Sequence, residues 1–271
     1  MNFGLMRKAA IELRGTTIVF GLAMMAGCGL LGFALPRFQA RIMQRMAEMP
    51  FLQEMRSAML GADLGNASGP EVPFGIAWSH PVLLAILWAH GIICCTRMPA
   101  GEVDKGTIDV VLGLPVSRWQ LYVSETVVWL GSAAIVLAMA LAGSLIGMRL
   151  APPEMRPELS RLLIVIANLF LLYASVAGMA WLMSSLSDRR GRAVTVVLIV
   201  AVSAFLLNYL ALLWPAAKRV QFLSILHYYR PVFPLRDGRW PVGDMAALGA
   251  VAAGLWAAGG VVFSRRDLST L

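Results

Sequence analysis

The sequence predicts an all-α membrane protein built on six transmembrane helices, and three observations carry that expectation. Of 271 residues, 59% are hydrophobic and only 14% are charged, where soluble domains carry about 25% charged residues. Mean hydropathy is +0.72. Six stretches, 16–35, 74–96, 119–148, 162–187, 193–217 and 245–264, each reach the roughly 20 apolar residues that cross a bilayer. Of the 38 charged residues only Glu125 falls inside one of them, and the whole chain, 1–271, reads as a single membrane domain. The net charge of +8 is spread over short loops. That spread does not build a nucleic-acid groove, so nucleic acid is not expected as a partner. It suits orientation in the bilayer and contact with anionic membrane lipid.

Residues 2–14 place Phe3, Met6, Ala10 and Leu13 at helical spacing, with Arg7, Lys8, Glu12 and Arg14 elsewhere. That is the pattern of an amphipathic helix at headgroup level. The first span follows, and its basic flank and Cys28 superficially resemble a signal peptide. The apolar run continues through 29–35, long enough for a full crossing, so it reads as an uncleaved helix. Gly21, Gly27, Gly29 and Gly32 on this span would let another helix approach closely, in the same subunit or in a second copy. In the first loop Ile42, Met46 and Met49, then Leu52, Met55 and Met59, recur every three or four residues. This predicts extracellular surface helices broken at Pro50.

The second span carries His80 before Pro81, and it sets His90 and Cys94 four residues apart on one face. Soft sulfur ligands suit Cu(I), and the Met-rich first loop raises the same thought. Yet a His-Cys pair is half a site and methionine commonly fills apolar faces, so no metal site is assigned. Cys28, Cys94 and Cys95 all lie in spans and offer no loop disulfide framework.

The loop between the second and third spans, RMPAGEVDKGTIDVVLGLPVSRWQLY, is the most informative segment. At about 100° per residue, Val103, Thr107, Val110, Val111 and Leu114 fall on one arc, and Glu102, Lys105 and Asp109 on the opposite one. Such a helix buries one side against the bundle and offers the other to a soluble partner, although an ordinary amphipathic connector has the same pattern. Pro99 and Pro115 bound it, while Gly101 and Gly106 permit tight turns. Glu125 lies about two turns inside the third span. An ionisable residue at such a depth is a functional candidate. Its open readings are an ion pair with Arg118 or contact with headgroup water, a gating role, and substrate contact.

The turn 187–192 is tight, and the fifth loop, with Phe222, Leu223, Ile225, Leu226, His227, Tyr228 and Tyr229, reads as an interfacial or partly re-entrant segment. If both termini share a face, the first, third and fifth loops hold 12 basic residues and the opposite face 11 in a shorter length. Density therefore puts the termini inside, whereas the raw count does not. Enzyme motifs are missing from the sequence. Lys8, Lys105 and Lys218 are preceded by Arg, Asp and Ala, so no phosphate-binding loop ending in Gly-Lys exists, and neither H-E-x-x-H nor G-x-S-x-G occurs. The chain is not expected to be an enzyme.

The run EVDKGTIDVVLGLPVSR resembles the signature of the ABC-2 type permeases, the membrane subunits of ATP-binding-cassette exporters. The matching positions are Glu102, Gly106, Thr107, Pro115, Ser117 and Arg118. The likeness extends to MPFLQEMRSAMLG after the first span, SILHYYRP in the fifth loop and FSRRDL in the tail. Members often carry a Lys where this chain has Glu125. The resemblance implies that this loop, with Lys105 and Asp109 beside the matched positions, is a coupling helix seated on a separate ATPase subunit. It also implies that both termini are cytoplasmic in the inner membrane, and that no cofactor binds this chain because ATP and Mg bind in the partner. A second permease copy or a paralogue would complete the exporter. A membrane-embedded enzyme or an assembly factor without ATPase coupling is the alternative.

Overall fold

A computed structural model describes residues 2–46 and 72–267. Most of the expected surface helices of the first loop lies outside the described residues. The helices are α1 (Phe3–Met46), α2 (Val72–Ser79), α3 (Pro81–Thr96), α4 (Ala100–Asp104), α5 (Ile108–Leu112), α6 (Arg118–Arg149), α7 (Leu159–Leu186), α8 (Arg190–Leu213), α9 (Pro215–Val220), α10 (Val232–Asp237) and α11 (Val242–Arg265). Among the described residues there is no strand, and six helical segments are long and apolar enough to cross a membrane.

Three boundaries differ from the sequence reading. The N-terminal helix is fused to the first span: α1 runs unbroken through Gly15, the one weak helix former between Leu13 and Thr16, and Leu5, Ala9, Leu13 and Thr17 form one buried stripe along it. Its packed face is therefore this stripe, and Phe3 and Ala10 point away from the protein. The second span is two helices, because Pro81 cannot donate to the ladder. His80 caps the new start by accepting from the Val82 amide at 3.3 Å. The fifth span stops at Leu213, ahead of Pro215.

Two close helix pairs organise the bundle, and in each the partners run parallel. In the first, α1 lies on α6 with Gly29 against the backbone of Gly143, and Gly147 against the backbone of Gly29. A side chain at Gly143 would meet the Met25 carbonyl. In the second, α7 lies on α11, where a Cβ at Gly178 would come within 3.1 Å of the Ala252 carbonyl oxygen and one at Gly259 within 3.3 Å of Leu182 Cα. Small residues thus let backbones touch, as membrane helices without a hydrophobic drive between them require. The first-span glycines are used inside the subunit: Gly21 faces Met139, Gly27 faces Leu83, Gly29 faces Gly143 and Gly32 faces Ser144 and Gly147. Trp78, Tyr122, Tyr173, Trp181 and Phe263 fill the interior. The outer face of α8 exposes Leu198, Ile199, Val202, Leu206 and Leu213, which suits contact with lipid tails.

Candidate functional site

The loop between α3 and α6 carries the singled-out residues, but it is not one helix. Gly106 adopts φ 72°, a left-handed conformation that glycine reaches without a Cβ penalty, and it separates α4 from α5. The turn is closed by hydrogen bonds from the Gly106 amide to the Val103 carbonyl at 3.0 Å and from the Thr107 amide to the Glu102 carbonyl at 2.9 Å. This turn resets the helical phase, which corrects the single-arc reading. Ala100, Gly101, Glu102, Ile108 and Val111 are buried, whereas Thr107 and Val110 are exposed. Glu102, expected on the outer arc, turns inward. Its Oε2 accepts from the Thr107 hydroxyl at 2.6 Å, so the carboxylate clasps the turn. Lys105 and Asp109 are on the exposed side as expected, together with Asp104, Leu114 and Pro115.

At the far end of the loop, Ser117 caps α6. It accepts from the Gln120 amide at 3.1 Å while its own amide donates to Gln120 Oε1 at 3.1 Å, a reciprocal capping box. Arg118 does not reach Glu125. Its guanidinium donates to the Phe263 carbonyl at 3.1 Å and to the Arg266 carbonyl, at the C-terminal end of α11, where free carbonyls favour a cation. Arg266 in turn donates to the Ser185 carbonyl at 2.9 Å and pairs with Asp188.

Glu125 pairs instead with Arg97, the first residue after α3, and Arg97 also holds Glu12 of α1. Lys8 approaches Glu12 at 3.7 Å. Burial works against the Arg97 charge, but the Glu125 and Glu12 carboxylates outweigh it and raise its pKa above the ordinary arginine value. Arg97 is the residue the sequence reading missed. Glu125 was visible as an ion-pair seeker, and Arg118 was chosen for nearness along the chain, but only the fold brings Arg97 beside it.

Further contacts tie the loop to α7 and the end of α3 to α8. The Ala100 amide donates to Ser184 Oγ at 3.1 Å. Arg190 donates to Thr96 Oγ1 at 3.3 Å and to the Ile93 carbonyl at 3.1 Å. The loop is thus held near its start by α1, α6 and α7, and at its end by α11.

Deeper in the bundle a hydrogen-bond chain crosses four helices. The Thr17 hydroxyl donates to the Leu13 carbonyl at 2.9 Å, so it must accept from Ser132 at 2.6 Å. Ser132 then accepts from His90 Nε2 at 2.9 Å, and His90 Nδ1 accepts from the Tyr173 hydroxyl at 3.1 Å. The donor order assigns the neutral Nε2-protonated tautomer. Cys94 Sγ lies 3.6 Å from the same Nε2. Both ring nitrogens are engaged, and among the described residues no cluster of three or more potential metal ligands forms.

Residues 16–268 match the family described as ABC-2 family transporter protein. No curated protein and no solved structure matches the chain. A family match over nearly the whole length, with six membrane-crossing helices, shows that the chain belongs to the ABC-2 family of transporter proteins and is a membrane permease of an ABC transporter.

Proposed function

We propose that this permease is the membrane half of an exporter driven by ATP hydrolysed in a separate subunit, and that the loop over residues 97–118 is its coupling element. One observation carries the reading. The loop is fastened at three points to different parts of the bundle, through Arg97, Ala100 and Arg118, while Lys105, Thr107 and Asp109 stay exposed on its outer side. A partner pressing on that side would act on both helix pairs at once. ATP and Mg belong to the partner, and this chain binds no cofactor. The exporter needs two membrane halves, so a second copy or a paralogue joins it, surrounded by lipid in the inner membrane. Both termini, this loop and the turn 187–192 face the cytoplasm. Embedded enzyme chemistry finds no support in the spans, where Glu125 and His90 are bound to neighbours.

The test is reconstitution of the permease with a co-purifying ATPase, with ATPase activity and transport measured in the same vesicles. Glu102→Ala removes the carboxylate that accepts from the Thr107 hydroxyl at 2.6 Å and leaves only the longer bond to the residue 102 carbonyl at 3.3 Å. Gly106→Val forces a branched side chain into left-handed backbone, at about 1–2 kcal/mol. Both should leave membrane insertion intact and reduce transport per ATP hydrolysed. Normal transport in both variants at normal expression would sink the coupling assignment.

A further inference from the structure

At the membrane end opposite the coupling loop the chain leaves α8 at Leu213, turns through extended backbone at Trp214 and folds back along the helix it has just left. Gln221 Nε2 donates to Asn208 Oδ1 at 3.1 Å, and Ser224 Oγ donates to the Ala204 carbonyl at 2.8 Å. On the other side Asn168 of α7 donates to the Tyr228 carbonyl at 3.2 Å. Ala204 stands nine residues before the end of α8, and Asn168 nine residues after the start of α7. At the helical rise both lie about 13 Å in from the helix ends. The segment 224–228 therefore reaches acyl-chain depth. Gln221, at the level of Asn208, is only about 7 Å in, and α9 lies between that level and the end of α8.

Two kinds of exposed side chain are stacked along this fold-back. Trp214, Lys218 and Arg219 are exposed nearest the membrane surface, where long cationic side chains extend to headgroup level. Deeper in, Phe222 and Leu223 are each more than half exposed, so they face out of the protein where the surroundings are hydrocarbon. Cations above, an aromatic ring at the boundary and apolar side chains beneath follow the order of a lipid from headgroup to chain.

These two cations are also spare. Several arginines at this end are spent inside the protein: Arg156 on the Arg149 and Ala151 carbonyls, Arg161 on those of Leu235 and Arg236, and Arg230 on Asp244. Lys218 and Arg219 make no ion pair among the described residues. The sequence holds no Asp or Glu from 189 to 236, so no carboxylate of the fold-back neutralises them. A zwitterionic headgroup brings its own positive group to such a surface, whereas a net anionic headgroup gains from both cations.

We propose that α9 and the residues flanking it form a docking surface for anionic phospholipid. Lys218 and Arg219 meet the headgroup, Trp214 sits at the boundary, and Phe222 and Leu223 lie against an acyl chain. The surface uses no residue of the coupling loop and requires only that the chain cross a membrane, so it is independent of the coupling assignment. The experiment attaches one fluorophore at Ala216→Cys, an exposed position of α9, while Cys28, Cys94 and Cys95 are buried and stay unlabelled. The labelled full chain is placed in phosphatidylcholine nanodiscs in which a rising share of the lipid is chain-brominated phosphatidylglycerol or, separately, chain-brominated phosphatidylcholine. Half-quenching by phosphatidylglycerol is expected at a share about 5-fold lower than by phosphatidylcholine. Lys218→Gln/Arg219→Gln should abolish that difference, and Lys218→Arg/Arg219→Lys, which keeps both charges, should retain it. Both side chains are exposed, so neither double variant disturbs the packed interior. Equal quenching by the two lipids in the parent, or quenching by neither, would overturn the proposal. So would a phosphatidylglycerol preference that survives the Gln substitutions or is lost in the charge-keeping exchange.

Discussion

Arg97 stands between two carboxylates, and its side chain and that of Glu125 are 12% and 10% exposed. Removing one partner of a buried pair strands the other charge, at about 3–5 kcal/mol. Arg97→Ala should therefore be worse than Glu125→Gln, because it leaves Glu12 and Glu125 with no guanidinium between them. The double variant Arg97→Ala/Glu125→Gln should recover part of the loss. A thermal melt of the four proteins in one detergent decides the matter, and strictly additive effects would mean that the pair is not coupled. Deeper in the bundle, Tyr173→Phe deletes the donor to His90 Nδ1 and leaves a buried acceptor unmade. A loss of about 1–3 kcal/mol, read by denaturation in detergent micelles, is expected. A variant as stable as the parent would show that the chain from Thr17 to Tyr173 adds nothing to stability.

At the scale of elements, glycine positions divide sharply. Gly143 and Gly147 of α6 touch the backbone of α1, whereas Gly131 of the same helix and Gly249 of α11 have nothing within 4 Å. Gly143→Val or Gly147→Val should therefore abolish accumulation of folded protein, because backbone cannot yield as a side-chain tip does. Gly131→Ala and Gly249→Ala should be neutral or slightly stabilising through better helix propensity. Size-exclusion profiles of the four variants check this, and a folded Gly143→Val would refute the close α1 to α6 contact. The coupling loop shows how far periodicity carries an element. Along the sequence its apolar and polar residues segregate on one helical period, but that period, taken as unbroken from Val103 to Leu114, puts Thr107, Val110 and Leu114 on the buried side and Glu102 on the outer one, and the structure reverses all four. One left-handed glycine changed the phase. The sequence contained that glycine, yet a Gly within a helical pattern does not say whether the helix continues through it.

For the whole molecule the open question of sidedness has a direct measurement. Cys28, Cys94 and Cys95 are buried, so they should stay silent to a membrane-impermeant thiol reagent, and Lys105→Cys places one reporter on the exposed side of the loop. Labelling of inside-out vesicles but not of intact cells is expected. Modification from outside intact cells would reverse the proposed topology. Because the first-span glycines are occupied within the subunit, a second copy must use other surfaces. The mass of the reconstituted complex should still show two permease chains, and a lone subunit with one ATPase would defeat that expectation.

The sequence by itself determined that this chain lives in a membrane and crosses it six times, because the cost of burying charge in hydrocarbon leaves its mark directly in the order of residues. It also singled out the loop after the second span and marked Glu125 as a charge inside a span, with an ion pair among its open readings. Both follow from local pattern and from the rarity of charge inside spans. Only the tertiary structure decided which cation answers Glu125, since Arg97 and Glu125 belong to different helices and meet only when α3 packs beside α6. It alone decided that α1 pairs with α6 and α7 with α11. These partners are parallel, so each pair is separated in sequence by another crossing, and no rule of chain neighbourhood points to it. The inward turn of Glu102 and the depth to which the segment after α8 folds back belong to the same class. Both depend on a phase reset or on the meeting of distant segments, and contacts of that kind are set by packing in three dimensions and not by any periodicity along the chain.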